Sequence, residues 1–328
     1  MRKKGLVARM VMRDPAKEDF SPDKLPKNRK ELFSYMLKNK FWKIYKNHLL
    51  IALFFIPLVA WGVLTMTYTD FVFGLEPKEG ITHFVEYWVT VYVTAIPLWA
   101  IAFLGLAGGL NVIRKLAWSD PVVIGNDFLQ GIKSSGKQLA LVGALWGTAF
   151  ALLRYAIDWL GFYYRVFDNS TAIIFGIFVC LFVFVVIVGL TVYMTCMSSL
   201  YNVTFKQLLV GAFKLYYSDC FMATGVILLC LLPVLILMTW GLAITALIAY
   251  LLLLGLLLGY IIIPMFLVCQ HTFDRIINKK DYTSYYGKGL SYGVYEGNGV
   301  ASAPAVMPDD EDASEIENDF ERVSDDEN

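Results

Sequence analysis

The chain has 328 residues, of which 57% are hydrophobic and only 17% charged, with a mean hydropathy of +0.56. A soluble domain carries roughly 45–50% apolar and about 25% charged residues, so a water-soluble globule is excluded: it could not hide this much apolar surface. The formal net charge of zero conceals a segregation, with 14 Lys/Arg against 5 Asp/Glu in residues 1–46 and 11 Asp/Glu against one Arg in residues 309–328.

Residues 1–29 form a loose basic extension. The first 46 residues are too polar and too long before an apolar core to be a cleaved signal peptide, so the first membrane helix is expected to act as the insertion signal and remain. Residues 30–46 read as an amphipathic helix. Leu32, Phe33, Met36, Leu37, Phe41, Ile44 and Tyr45 share a broad face ringed by Lys30, Lys38, Lys40, Lys43 and Lys46, the pattern of a helix lying on an anionic leaflet.

Six stretches approach the roughly 20 apolar residues that a spanning helix needs: about 47–68, 88–110, 138–160, 172–197, 220–239 and 241–268. The last two are separated only by Thr239, Trp240 and Gly241, which predicts a tight helical hairpin. The fold class is therefore all-α, a multi-pass cell-membrane protein with about six spans over residues 47–270. The N-terminal arm, the 111–137 and 198–219 loops and the segment after the last helix hold 25 Lys/Arg, whereas the alternate loops hold only Lys78 and Arg165. By the positive-inside rule both termini face the cytoplasm.

Several patterns invite a chemical reading. The outward loop 69–87 carries Asp70, Glu76, Glu79 and Glu86 without the spacing of a calcium loop. Gly131 to Lys137 has the GxxxxGK frame of a phosphate loop, but Gln138 stands where the magnesium-holding Ser/Thr belongs and no buried strand precedes it. Phe128, Leu129 and Ile132 instead predict a short cytoplasmic helix leading into the third span. Arg154 and Asp158, four apart, share a helix face and form an intramembrane polar pair. It is read first as a local structural pair, with substrate contact as the alternative. Gly105/Gly109, Gly143/Gly147 and Gly255/Gly259 are GxxxG pairs that let helices approach closely, within the bundle in preference to between copies. Phe128, Gly131 and Lys133 before the third span echo Gly211, Phe213 and Lys214 before the fifth. Both elements read first as chain running along the lipid surface, with docking of a cytoplasmic partner as the alternative. His48, His83 and His271 match no catalytic or metal spacing, and the five cysteines read as buried, inert thiols. No catalytic residue, cofactor or metal site is expected.

Residues 271–328 read as a cytoplasmic tail, Gly/Tyr-rich over 282–299 and then acidic, with too little apolar content to fold.

The stretch from Ile96 to Lys137, with Pro97, Gly105, Ala107, Arg114, Lys115, Asp127, Phe128 and Lys133, resembles the YesL-like family of bacterial integral membrane proteins. The run Tyr193–Lys214 followed by Asp219 is similar to that family's second half. The resemblance covers about residues 88–270. The long basic arm, the wider separation of the first two spans and the acidic tail depart from it. It implies no catalytic residue and an accessory role beside carbohydrate-uptake ABC systems. The expected protein is thus a non-enzymatic accessory or interaction protein, with a transporter or permease subunit as the alternative. Its expected partners are the bilayer, anionic lipid at the basic arm and ABC transporter subunits, with no nucleic acid.

Overall fold

A computed structural model describes residues 26–73, 89–167, 170–239 and 258–291. The expected loop 69–87, with Glu76, Glu79, Lys78 and His83, therefore lies largely outside the described residues, as do Trp240, Gly241, Gly255 and the acidic tail. Among the described residues seven α-helices make up the fold: α1 Arg29–Phe73, α2 Thr94–Ala117, α3 Ile124–Phe167, α4 Ser170–Leu200, α5 Phe205–Ser218, α6 Cys220–Thr239 and α7 Leu258–Phe273. Among the described residues there is no strand. Among the described residues five stretches (Arg29–Thr65, Thr90–Ala117, Ile124–Leu160, Ile174–Leu200 and Tyr260–Asn278) are long and apolar enough to cross a membrane, and α5 with α6 forms a sixth, bent element. In lipid every backbone N–H and C=O must find its partner within the segment, which is why apolar segments of this length become helices. The chain is an all-α, polytopic membrane protein.

Two expected boundaries move. The amphipathic stretch 30–46 and the first span both fall within α1, which is two helical segments joined at a kink where Lys40 leaves helical geometry (φ −121°, ψ 15°). At the kink the lysine Nζ donates to the Leu116 carbonyl at 2.7 Å. This places a cation on the unsatisfied carbonyl end of α2, where the helix dipole favours it. The apolar face is divided between the protein and its surroundings: Phe41 is 44% exposed, whereas other members pack on the bundle. Leu32, Met36 and Ile44 are fully buried in the protein core, joined by Asn47, His48 and Ile51, while Trp42 remains 71% exposed. Likewise the element before the third span is not separate: α3 runs unbroken from Ile124, so the GxxxxGK frame is helix, not a phosphate loop.

The connection between α2 and α3 is tight. After the C-cap Trp118, Ser119 takes a left-handed conformation (φ 59°). Asp120 N–H then reaches the Lys115 carbonyl at 2.9 Å and Ser119 N–H the Leu116 carbonyl at 3.3 Å, the paired bonds of a Schellman stop. At the start of α5, Thr204 and Gln207 form a capping box, which satisfies orphan donors at a helix start.

Glycines set the helix spacing. A Cβ on Gly105 would lie 2.6 Å from Phe54 Cβ, and one on Gly109 would overlap the Ile51 side chain, so this pair seats α2 on α1. Gly143 and Gly147 face Trp99 and Phe103 and seat α3 on α2 in the same way. Both pairs serve packing within the bundle. Of the third pair, Gly255 lies outside the described residues and Gly259 stands at the start of α7.

Candidate functional site

The start of α1, the end of α2, the start of α3 and the ends of α4 and α7 converge, with Arg29, Arg114, Lys115 and Arg275 on or beside them. Their side chains build a polar layer at this basic end of the bundle. It consists of three linked groups.

The first joins α2, α3 and α4. The Arg114 guanidinium donates to the Ser199 carbonyl at 2.9 Å and to Asn111 Oδ1 at 2.6 Å, and Asn111 Nδ2 donates to the Asp127 carbonyl at 2.7 Å. Asp127 accepts from Lys115 Nζ at 2.7 Å and from Val123 N–H at 2.8 Å, which closes the first turn of α3 with an acid where the helix dipole favours one. Gln138, the residue at which the phosphate-loop frame fails, donates to the Val203 carbonyl and accepts from Ser198 at 3.0 Å. It therefore ties α3 to the end of α4.

The second group holds the elbow between α5 and α6. Asp219 sits at the break, buried, accepting from Arg275 at 2.7 Å through Oδ1 and from Thr272 at 2.7 Å through Oδ2. Thr272 also pairs with the Tyr193 hydroxyl at 2.9 Å. A buried carboxylate is tolerable only with such partners.

The third group folds the start of the expected tail back onto the bundle. Asp274 and Asn278 lie in a π-helical turn after α7. Asp274 pairs with Arg29 at 2.5 Å and accepts from Asn278 at 2.8 Å, while Asn278 accepts from the Tyr201 hydroxyl at 2.6 Å. Arg29 also donates to the Lys288 carbonyl at 3.0 Å, and Ser291 N–H reaches the Pro26 carbonyl at 3.0 Å. Lys288 stands 4.4 Å over the Trp118 ring, Tyr285 packs on Trp118, and Tyr201, Tyr282 and Tyr285 pack against one another with centroids 4.8–6.1 Å apart. Gly289 is the pivot: at φ +84° it lies so close to Ala117 that a Cβ would sit 2.1 Å from the Ala117 carbonyl oxygen. Leu290 is buried beside it. The first part of the segment expected to be a solvated tail is thus folded structure, because its Gly, Tyr and Leu residues close over the end of α2. Burial, then the nearby Asp274 carboxylate, pushes the Tyr201 phenol well above its ordinary value. Burial and Asp281 push Tyr282 in the same direction.

The remaining expected site residues separate. Arg154 and Asp158 pair at 2.7 Å on α3, and the Arg154 Nε also donates to the Tyr92 hydroxyl at 3.2 Å. Nearby, Tyr155, Trp159, Leu160, Phe175, Gly176 and Val179 line an open, apolar groove between α3 and α4. Phe128 is not available for docking. It is 3% exposed and closes on Gly108 and Phe54. Gly131 is a crossing point, where a Cβ would meet the Ala107 carbonyl at 2.6 Å. Gly211 lies against Met197, whereas Lys133, Phe213 and Lys214 face outward. His48 is buried and His271 exposed. Among the described residues no three His, Cys, Asp or Glu side chains are grouped to hold a metal.

Sequence reasoning missed the Arg29–Asp274 and Asp219–Thr272–Arg275 groups. For Asp219 a signal existed: a lone acid immediately before an apolar helix needs a partner. For Arg29 there was none, since its partner is remote in sequence.

The chain matches no family model, no curated protein and no solved structure.

Proposed function

We propose that this chain is a YesL-like, non-enzymatic membrane accessory protein that docks on the membrane subunits of a carbohydrate-uptake ABC transporter. The observation that carries the reading is the rigid start of α3. Phe128 and Gly131 lock it into the bundle, while Leu129, Lys133 and Lys137, one turn apart, form an outward stripe of one apolar and two cationic side chains. Such a stripe can enter an acidic cleft on a partner at little ordering cost, because the helix that carries it is already fixed. The pairing of ionisable groups supports a scaffold. Arg29, Lys115, Arg154 and Arg275, buried or exposed, each pair with an Asp of the same chain.

Purification of the intact chain from its own membranes in mild detergent tests this. ABC permease or ATPase subunits should co-purify, and Lys133→Glu with Lys137→Glu should remove them while leaving the melting temperature unchanged. A monodisperse protein without those subunits overturns the docking, and substrate uptake by the reconstituted protein alone makes it a transporter instead.

A further inference from the structure

We infer that α5 is an in-plane helix that binds anionic phospholipid, with its apolar flank sunk into the leaflet at the basic end and Lys206 and Lys214 on the headgroups. The inference needs only the membrane embedding of α6 and is independent of the docking proposed above.

The first observation is direction. α5 and the start of α6 are bent by 93° at Asp219, so if α6 crosses the bilayer, α5 lies along its surface. The bend is fixed, because both Asp219 carboxylate oxygens are held, by Arg275 and by Thr272.

The second is the division of the helix surface. At about 100° per residue, the buried Leu208, Ala212, Leu215 and Tyr216 occupy one arc of about 100°, facing the bundle. Leu209, Val210, Phe213 and Tyr217 occupy the next arc and are all exposed, Tyr217 at 78%. Gln207, Gly211, Lys214 and Ser218 close the circle. One side thus faces protein, one side has the composition of a lipid contact, and one is polar. A helix projecting into water has no reason to carry the second side, whereas one at an interface requires it.

The third is continuity. The exposed flank passes through the elbow at Phe221, 95% exposed, into Met222, Leu228, Leu229 and Leu232 on α6. An apolar surface that continues from a spanning helix onto a perpendicular one is wetted by the same lipid. Charge selects which lipid. Lys206 lies within the apolar arc and Lys214 at its edge, and both are exposed. Their stems can run along the acyl region while the ammonium groups reach phosphates. α5 contains no acidic residue, so its field favours an anionic headgroup.

The test uses the full chain in nanodiscs of phosphatidylcholine with and without phosphatidylglycerol. A photoreactive phenylalanine analogue at position 213 or 217 should give adducts with the mass of a phospholipid. Retention of phosphatidylglycerol over phosphatidylcholine, read by native mass spectrometry, should fall about fivefold for each of Lys206→Gln and Lys214→Gln. The control pair Lys133→Gln and Lys137→Gln should leave it unchanged. Crosslinks to protein in place of lipid, or a headgroup preference indifferent to Lys206 and Lys214, overturn the assignment.

Discussion

Arg29 and Asp274 stand 245 positions apart in the sequence, yet their guanidinium and carboxylate meet at 2.5 Å, with side chains only 9% and 8% exposed. This pair joins the entry of α1 to the turn after α7 and so closes the basic end of the bundle. A buried pair contributes little over an apolar substitute, but removing one partner strands a charge away from water and typically costs about 3–5 kcal/mol. Arg29→Ala or Asp274→Leu alone should therefore lower the thermal midpoint in detergent sharply, while Arg29→Met combined with Asp274→Leu recovers most of the loss. A double variant as unstable as the sum of the singles would show that the two do not interact.

Gly289→Ala should detach the segment that covers α2 without unfolding the spans. The added Cβ would lie 2.1 Å from a backbone oxygen, and the residue sits at φ +84°, where L side chains are strained. Hydrogen exchange should rise over residues 282–291 and stay unchanged in α2 and α3. A uniform rise across the protein would mean that the segment is part of the global fold.

Tyr201 provides a pH-dependent measurement. Burial, followed by the Asp274 charge, raises its phenol pKa in the folded protein above the ordinary value of 10.0. The folded form therefore holds this proton more tightly than the unfolded form. That contribution to stability is complete below about pH 10 and is lost as pH climbs from there through the raised value. Ultraviolet titration should show a phenol that resists ionisation above pH 10 and is missing in Tyr201→Phe. The same substitution leaves the Asn278 carbonyl without its donor, at a cost of about 1–2 kcal/mol.

The Arg154–Asp158 pair should matter little to stability. Its side chains are 40% and 24% exposed, and it lies in the last two turns of the span Ile124–Leu160, where the arginine can reach headgroups and water. This i,i+4 pair therefore contributes on the scale of an exposed one, roughly 0.3–0.5 kcal/mol. Arg154→Gln should shift the melting temperature by no more than a degree or two and leave partner co-purification intact. Loss of the partner would give this pair a role beyond local pairing.

Gly131→Ala should be more damaging than its place in a loop-like motif suggests. The new methyl group would press on the Ala107 carbonyl at 2.6 Å, and overpacking of a helix crossing costs about 1–3 kcal/mol. Thermal melts of Gly131→Ala beside Gly125→Ala, where nothing stands within 4 Å, isolate the effect of the crossing.

Some of this organisation was readable from the chain. Apolar length marks the spans, the four-residue spacing announces Arg154 with Asp158, and Gly105/Gly109 and Gly143/Gly147 announce close crossings. Each of these is a local property of one helix. Gly131 and Phe128 misled because a helix face facing a neighbour and one facing a partner look alike in sequence. Residues 30–46 were legible only in part for a related reason: an apolar face ringed by lysines suits a leaflet as well as the flank of another helix, and sequence does not say that Leu32, Met36 and Ile44 go to the core while Phe41 stays exposed. The Gly/Tyr-rich stretch has no periodicity, so nothing in it announces that Gly289 fits against Ala117.

The amino-acid sequence alone determined that this is a helical membrane protein, because the cost of leaving peptide groups unpaired in hydrocarbon is fixed by composition and length along each segment. The tertiary structure alone decided which charges lie inside, which faces remain for lipid and that the start of α1 meets the segment after α7. Burial and ion pairing depend on what other helices bring alongside, and the order of residues along one helix does not contain that information.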